Sequence, residues 1–419
     1  MQVGCSETDI TPHVPIHLDG YAQRQKPART IASPLHARGF VFSHGGLSLG
    51  LITADLLMLD REQAWQIREM AGRLTGIDPA NIIISCSHTH SGPALTPFLG
   101  NPPDPEYINW LGKALAGVLL QAWENQEEVR AGFASTQVHG IGANRRNPGE
   151  AADQELIVLG FQNSAGAIKA LLYNFACHPT VLGADNLLIT PDYPGAAAQV
   201  LKALFPGTVA GFINGACGDI STRFTRRQQS HAEAGRLGTI LGAAAASLAA
   251  GLSFTDADLA ALTITVPVEA KQGVELAQAE AEIARWQGRL EELKRAGATP
   301  GELRQAQTGL EGALFQKELE KVLTTLDREV QLSLWRLGDV GLVSIPGELF
   351  SSLGRAIKER SPLAKTIIAG YSNGYINYIP HREAYREGGY EALLTPLAPG
   401  FGENLVSAVV QALQALGKE

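Results

Sequence analysis

"LSLGLITADLLMLDREQAWQIREMAGRLTGIDPANIIISCSHTHSGP", Leu47 to Pro93, is the stretch on which the fold reading turns. Its first part, together with the preceding "GFVFSH", reads as a β-hairpin turning at Gly45-Gly46. "DREQAWQIREMAGRLTG" follows as a helix, capped by Asp60 and closed by Gly76. "NIIISCS" is then a buried strand, ending in His88 and His90 before a Gly-Pro turn. Strand, helix and strand in succession are the unit of an α/β fold.

The same alternation continues outward. "ELIVLGFQNSAGAIKALLYNFACH" reads as a second hairpin, "YPGAAAQVLKALF" as a helix and "TVAGFINGACG" as another strand. The expected class is α/β, with a mixed β-sheet core and flanking helices. A faint internal echo suggests pseudo-duplication, because "VGLVSIPGELFSSLGRAIKER" and "KTIIAGYSNGYINYIP" repeat the strand–acid–helix–strand order. In that echo Asp55 corresponds to Glu348, and the histidine pair to the Tyr375/Tyr378 region. The two strand ends would then face each other across one cleft.

Residues 272–327 differ, being rich in Ala, Glu, Leu, Lys, Gln and Arg around a Gly-Ala-Thr-Pro-Gly break. They are expected to form an α-helical hairpin inserted in a single domain spanning 1–419. A packing arm or homo-oligomer contact is one use for such a hairpin, and a lid is another.

Composition sets the partner class. The 419 residues are 45% hydrophobic and 18% charged, with a formal net charge of −8. Nucleic acid is not expected as a partner, since "RFTRRQQ" around Arg226, the densest basic cluster, reads as a solvated loop. No signal peptide and no transmembrane segment are recognised. The four cysteines are scattered singly, which suits a reducing compartment and a cytoplasmic protein.

On a strand His88 and His90 would share one side, a spacing that suits paired metal ligands or one ligand with an acid/base partner. A polar loop with two structural histidines explains the pair equally well. His178 ends the apolar strand "ALLYNFACH" and is again followed by Pro. Catalytic zinc commonly takes three protein ligands and leaves a water position open. Asp55, Asp192, Asp219 and Glu348 are the carboxylates expected at strand ends. "GYSNGYINYIPHREAYREGGYEA" holds five of the nine tyrosines, which suit hydrogen bonding to a polarised carbonyl or metal ligation. "FINGACGDIST" lacks the GK[ST] ending of a P-loop.

Taken in order, "DITP" (Asp9), "GFVF" (Gly39), "SCSHTHSGP" (Ser85), "ANRR" (Ala143), "NLLITPDYPGAAA" (Asn186), "CGDIS" (Cys217), "PGELF" (Pro346) and the tyrosine-rich block from Tyr371 resemble the neutral (non-lysosomal) ceramidase family. The resemblance implies a zinc-dependent hydrolase of lipid metabolism, cleaving an N-acyl amide bond through a metal-activated water. It implies His88, His178, Glu348 and Tyr378 as zinc ligands. His90, Arg145 and Tyr390 would be catalytic neighbours, with Ser221 at the serine of the family's GD[VI]SPN motif. "GDISTR" lacks that motif's Pro-Asn, and Ala94-Leu95 replaces a common glycine pair. A chain ending at Glu419 would carry no C-terminal β-sandwich. The expected substrate is ceramide-like or another N-acyl compound. A metal-dependent ester or phosphoester hydrolase, with Asp55, Asp192 and Asp219 as further ligands, and a non-catalytic scaffold remain as alternatives.

Overall fold

Strand β1 (Gln2–Asp9) pairs antiparallel with β2 (His36–His44), which turns at Gly45-Gly46 into antiparallel β3 (Leu47–Ala54). Both turn glycines take positive φ, 58° and 88°, as a tight hairpin turn in a twisted sheet requires. The computed structural model describes residues 1–97, 100–273, 275–298 and 300–417.

Helix α1 (Arg61–Thr75) leads from β3 to β4 (Ile82–Cys86), which lies parallel to β3. Its start is a capping box: Gln63 N–H donates to Asp60 Oδ1 (2.8 Å) and Asp60 N–H to Gln63 Oε1 (3.2 Å). Gly76 ends it at φ 77°. Next come α2 (Pro105–Glu124), β5 (Glu127–Gln137), β6 (Glu155–Asn163), β7 (Ile168–Phe175), α3 (Asp192–Leu204), β8 (Val209–Asn214) and α4 (His231–Ala250). The large sheet has the order β8-β7-β6-β5-β1-β2-β3-β4.

A second sheet of four strands, β9 (Leu259–Pro267), β10 (Glu329–Leu337), β11 (Val340–Ser344) and β12 (Lys365–Ala369), follows in the order β9-β10-β11-β12. Between β9 and β10 the chain forms the paired helices α5 (Leu276–Arg295) and α6 (Pro300–Thr325). Helix α7 (Ser351–Arg360) joins β11 to β12, and α8 (Arg382–Glu387), α9 (Tyr390–Leu394) and α10 (Phe401–Leu416) complete the order.

Alternation along the strands explains the layering. Phe40, Phe42, Leu49, Leu51 and Ile83 face one way and meet Trp335, Leu342 and Ile367 of the second sheet. Val41, Ile52, Ile82 and Ile84 face the other way, against Ala71, Leu115, Leu119 and Leu237 on the first four helices. The second sheet turns Leu334, Val343 and Ile368 toward Leu353, Val409 and Leu413 of α7 and α10. The result is four layers, helix–sheet–sheet–helix. Strands buried on both faces need apolar residues at every position, which is why they read as continuous runs. The α/β class with a mixed sheet core is borne out; the division into two stacked sheets is a finding of the tertiary structure. Among the described residues no helix is long and apolar enough to cross a membrane.

Three parallel pairs, β3/β4, β7/β8 and β11/β12, are each bridged by a helix. Their carboxyl ends open on one edge, where α/β folds place ligands. The first and third pairs are the two units of the sequence echo.

Helix α2 packs directly on sheet backbone at Gly39, where a Cβ would lie 2.6 Å from Val118 O and 2.9 Å from its carbonyl carbon. Backbone cannot move aside as a flexible side chain can. Gly39→Ala should therefore lower the urea midpoint by an amount equivalent to about 1–3 kcal/mol, with an unchanged denaturant slope. A wild-type midpoint would show that α2 is free to shift away.

Candidate metal centre

The parallel units carry their exits to one point. His88 stands two residues beyond β4, His178 three beyond β7 and Glu348 four beyond β11. Backbone bonds stitch these exits together across the two sheets. Cys86 N–H donates to Tyr371 O (3.2 Å), Asn373 N–H to Ile84 O (3.0 Å) and Gly370 N–H to Asn214 O (2.9 Å). Asn214 Nδ2 in turn donates to Ser87 O (2.9 Å). His88, Tyr371, Asn373 and Asn377 all sit at positive φ, between 53° and 77°. Such conformations cost on the order of 1 kcal/mol or more each and cluster where a site demands them.

The ligand nitrogens of His88, His90 and His178 lie within 4.8 Å of one another. Their hydrogen bonds fix which nitrogens are free. His88 Nδ1 is 2.9 Å from Leu57 O, and His178 Nδ1 is 2.8 Å from Cys217 O and 3.0 Å from Ile220 O. Carbonyls only accept, so both Nδ1 atoms carry the proton and both Nε2 atoms present lone pairs. Those lone pairs face Glu348 Oε2, at 2.9 Å from His178 and 3.8 Å from His88. The shorter contact lacks hydrogen-bond geometry, and His178 Nε2 is buried without a partner.

Glu348 is itself held in place. Tyr375 OH donates to its Oε1 (2.5 Å) and Tyr371 OH to its Oε2 (3.4 Å). The Tyr371 ring also stacks on His88, with centroids 3.8 Å apart.

Protons are a poor glue in this setting. Burial pushes the His88 pKa down to about 3 against the pull of Glu348. Burial likewise drives His90 and His178 well below the usual histidine range, and raises Glu348. Two neutral imidazole lone pairs and a carboxylate oxygen aimed at one space suit a divalent cation, and the donor set of nitrogen and oxygen suits zinc-like ions. The three histidines are compatible with a metal site.

The other residues singled out in the sequence take distinct places. His90 lies beside His88 (ring centroids 4.9 Å apart), and neither of its buried ring nitrogens has a hydrogen-bond partner. Arg145 Nε donates to Glu391 Oε1 (2.8 Å), while its Nη2 donates to Gly218 O (2.8 Å) and to Tyr378 OH (3.1 Å). Tyr378 is the register partner of Glu348 in the parallel pair Glu348–Leu349 with Tyr378–Ile379. The Tyr390 ring stands 6.0 Å from that of Tyr378. Ser221 bridges in parallel to His178, and its Oγ accepts from Arg223 N–H (3.3 Å). All of these border a cleft of about 1090 Å³.

The remaining strand-end carboxylates are engaged elsewhere. Asp55 pairs with Arg38 (3.3 Å) and accepts from His36 N–H. Asp192 accepts from the N–H groups of Val181, Leu182 and Tyr193. Asp219 accepts from Ser351 N–H and Asn144 Nδ2.

Sequence reasoning did not find the segment behind His90. Arg24 is buried, with Nη1 donating to His90 O (2.8 Å) and Asp19 O (2.9 Å). Gly20, at φ 99°, lets the chain pass so close that a Cβ there would lie 2.5 Å from His90 Cγ. "DGYAQR" has no periodicity or ligand spacing to announce this. Glu391 was likewise invisible, although it adjoins Tyr390.

No family model matches the chain. The neutral ceramidase of Pseudomonas aeruginosa is 23% identical over 465 aligned positions, covering 94% of this chain and 69% of that protein. Neutral ceramidase B of Dictyostelium discoideum is 25% identical over 253 positions, covering 52% of this chain and 35% of the relative. The crystal structure of the Pseudomonas aeruginosa neutral ceramidase superimposes with a TM-score of 0.79 at 20% identity, over all of this chain and 74% of that one. The chain has the fold of the neutral ceramidases and is similar to them in sequence along most of its length. A ceramidase complexed with C2 shares the fold to a TM-score of 0.78, also at 20% identity.

Titration with a divalent metal should raise the melting temperature, with stabilisation of about 2.7 kcal/mol at a hundredfold excess over Kd. His178→Ala should abolish that shift, and Glu348→Gln should weaken it. A full shift in His178→Ala would place the metal elsewhere.

Proposed function

We propose that the chain is a zinc-dependent amidohydrolase cleaving an N-acyl bond, with the whole chain as one catalytic unit and residues 272–327 as an insertion in it. The observation that carries this reading is the convergence of two Nε2 lone pairs on the Glu348 carboxylate beside His90 and Arg145. The relatives' names, neutral ceramidase, supply the amide as the bond type. The four cysteines are free thiols, which supports the reading of a reducing, cytoplasmic setting.

His88, His178 and Glu348 would hold the ion, with Tyr378 adjacent. Zinc in such a site supplies an acidified water, with a pKa near about 7, and polarises a carbonyl. The protein's own groups do the rest. His90, with both ring nitrogens unpaired, can take a proton from the attacking water and return it to the departing amine nitrogen. Arg145 is fixed by Glu391 and Gly218 O, so its guanidinium is aimed without rotamer search. With the hydroxyls of Tyr378 and Tyr390 it stabilises negative charge growing on the carbonyl oxygen. Ser221 shapes the wall beside His178.

A second role for His90 has a specific observation behind it, since its nitrogens fall within the ligand cluster. The two histidines anchored through Nδ1 to carbonyls have the orientation usual for ligands, whereas His90 lacks that anchor. Proton transfer is therefore the better assignment.

His90→Ala should keep its zinc, measured by elemental analysis, while kcat on an N-acyl substrate falls by about 10²–10⁴. Loss of zinc would make His90 a ligand, and full activity would end its catalytic role. Tyr390→Phe should lower kcat by about 10²–10³ with little change in KM; a change confined to KM would assign Tyr390 to substrate binding instead.

A further inference from the structure

The cleft wall beyond the metal ligands carries many charged and polar side chains between its tyrosine and aliphatic ones. Among the described lining residues Leu57, Met58, Ala184, Phe224 and Leu394 are aliphatic or phenyl. The wall near α9 is charged but internally neutralised: Glu391 holds Arg145 and Arg146, and Glu387 also pairs with Arg146 (3.0 Å). Glu150 at that end accepts from Asn147 Nδ2 (3.1 Å) and Asn144 Nδ2 (3.4 Å). α6 closes part of the mouth, bringing Thr308 to the lining and Glu311 Oε1 within 2.5 Å of Gln23 Nε2.

The opposite wall, beside His178, differs. Arg226 is half-buried and lines the cleft. Its Nη1 donates to Thr180 O (2.8 Å) and Thr222 Oγ1 (3.3 Å), both uncharged acceptors. Among the described residues no carboxylate stands within ion-pair distance of it, although the buried Asp192 lies near enough to feel its charge, and only its Nη1 makes a hydrogen bond. The segment is tied to the site by backbone contacts: Ser221 bridges to His178, and Arg226 N–H closes the turn on Thr222 O (2.8 Å). Arg223 on the same turn also lines the cleft. A guanidinium held through Nη1, with its Nε/Nη2 edge unused, is suited to a planar or tetrahedral oxyanion.

We infer that the cleft takes an amide substrate bearing an anionic oxygen group, a carboxylate or a phosphate, which Arg226 binds on the His178 side of the metal. This rests on the amidohydrolase reading above. Such a compound is an N-acyl amino acid or its relative, rather than a neutral ceramide.

The test uses the full-length, zinc-loaded chain with amides of equal chain length. They are N-hexanoylglycine (carboxylate on the amine half), N-hexyl succinamic acid (carboxylate on the acyl half), N-hexanoylaminomethylphosphonate and neutral N-hexanoylglycinamide, with a C6 ceramide for comparison. At least one anionic compound should exceed glycinamide by about tenfold or more in kcat/KM. In Arg226→Gln that ratio should fall to near one, with zinc content as in the wild type. The wild-type ratio should also shrink as salt is raised, a readout independent of any folding defect in the variant. Preference for glycinamide or ceramide, a ratio unmoved by Arg226→Gln, or one unmoved by salt would overturn the inference. If zinc binds but no amide is cleaved, the amidohydrolase reading fails by itself. Calorimetric Kd values for the same compounds then decide the anion site, through the same wild-type to Arg226→Gln ratio.

Discussion

The carboxylate of Glu348, buried against two imidazoles that spend their only protons on backbone carbonyls, is the constraint around which this molecule is arranged. A charge in that position costs several kcal/mol of lost hydration unless something positive or protic compensates. Tyr375 and Tyr371 supply part of the compensation from one side. The rest has to come from the side where the histidine lone pairs also point. The arrangement is therefore incomplete as hydrogen bonding and compatible with a metal ion at that point.

Holding it requires backbone conformations that no isolated segment would choose. His88 at φ 66° turns the chain so that its ring lies flat on Tyr371, and Tyr371 and Asn373 answer with positive φ of their own. The stitching bonds from Asn214, Gly370 and Asn373 favour these conformations, because each pairs a buried backbone group that would otherwise lack a partner. The four layers then act as a clamp. Helices packed onto glycine-lined backbone, as α2 is at Gly39, leave the sheets little freedom to slide.

The same geometry separates two kinds of charged group. Arg145 is held by Glu391, and Arg146 by Glu391 and Glu387, so both guanidinium groups are fixed in the wall. Arg226 hydrogen-bonds only to neutral oxygens and lines the cleft. In a sequence both look alike, as arginines in short basic runs. "RFTRRQQ" reads as a solvated loop until the turn at Thr222 is seen to bring Arg226 back over Thr180.

Local patterns sufficed for the elements: glycine turns, the Asp60 cap and unbroken apolar runs each act within a few residues, so the α/β class could be read directly. The placement of His88 and His178 at strand exits was legible for the same reason, because a strand's end is a local event. What lay beyond reach was everything set by sheet stacking. Two sheets rather than one, the meeting of Glu348 with His88 and His178, and the support of His90 by Gly20 and Arg24 all depend on contacts between segments far apart in the chain. The sequence by itself determined which residues end each strand; only the tertiary structure decided which strand ends share a space, since that follows from packing two twisted sheets face to face.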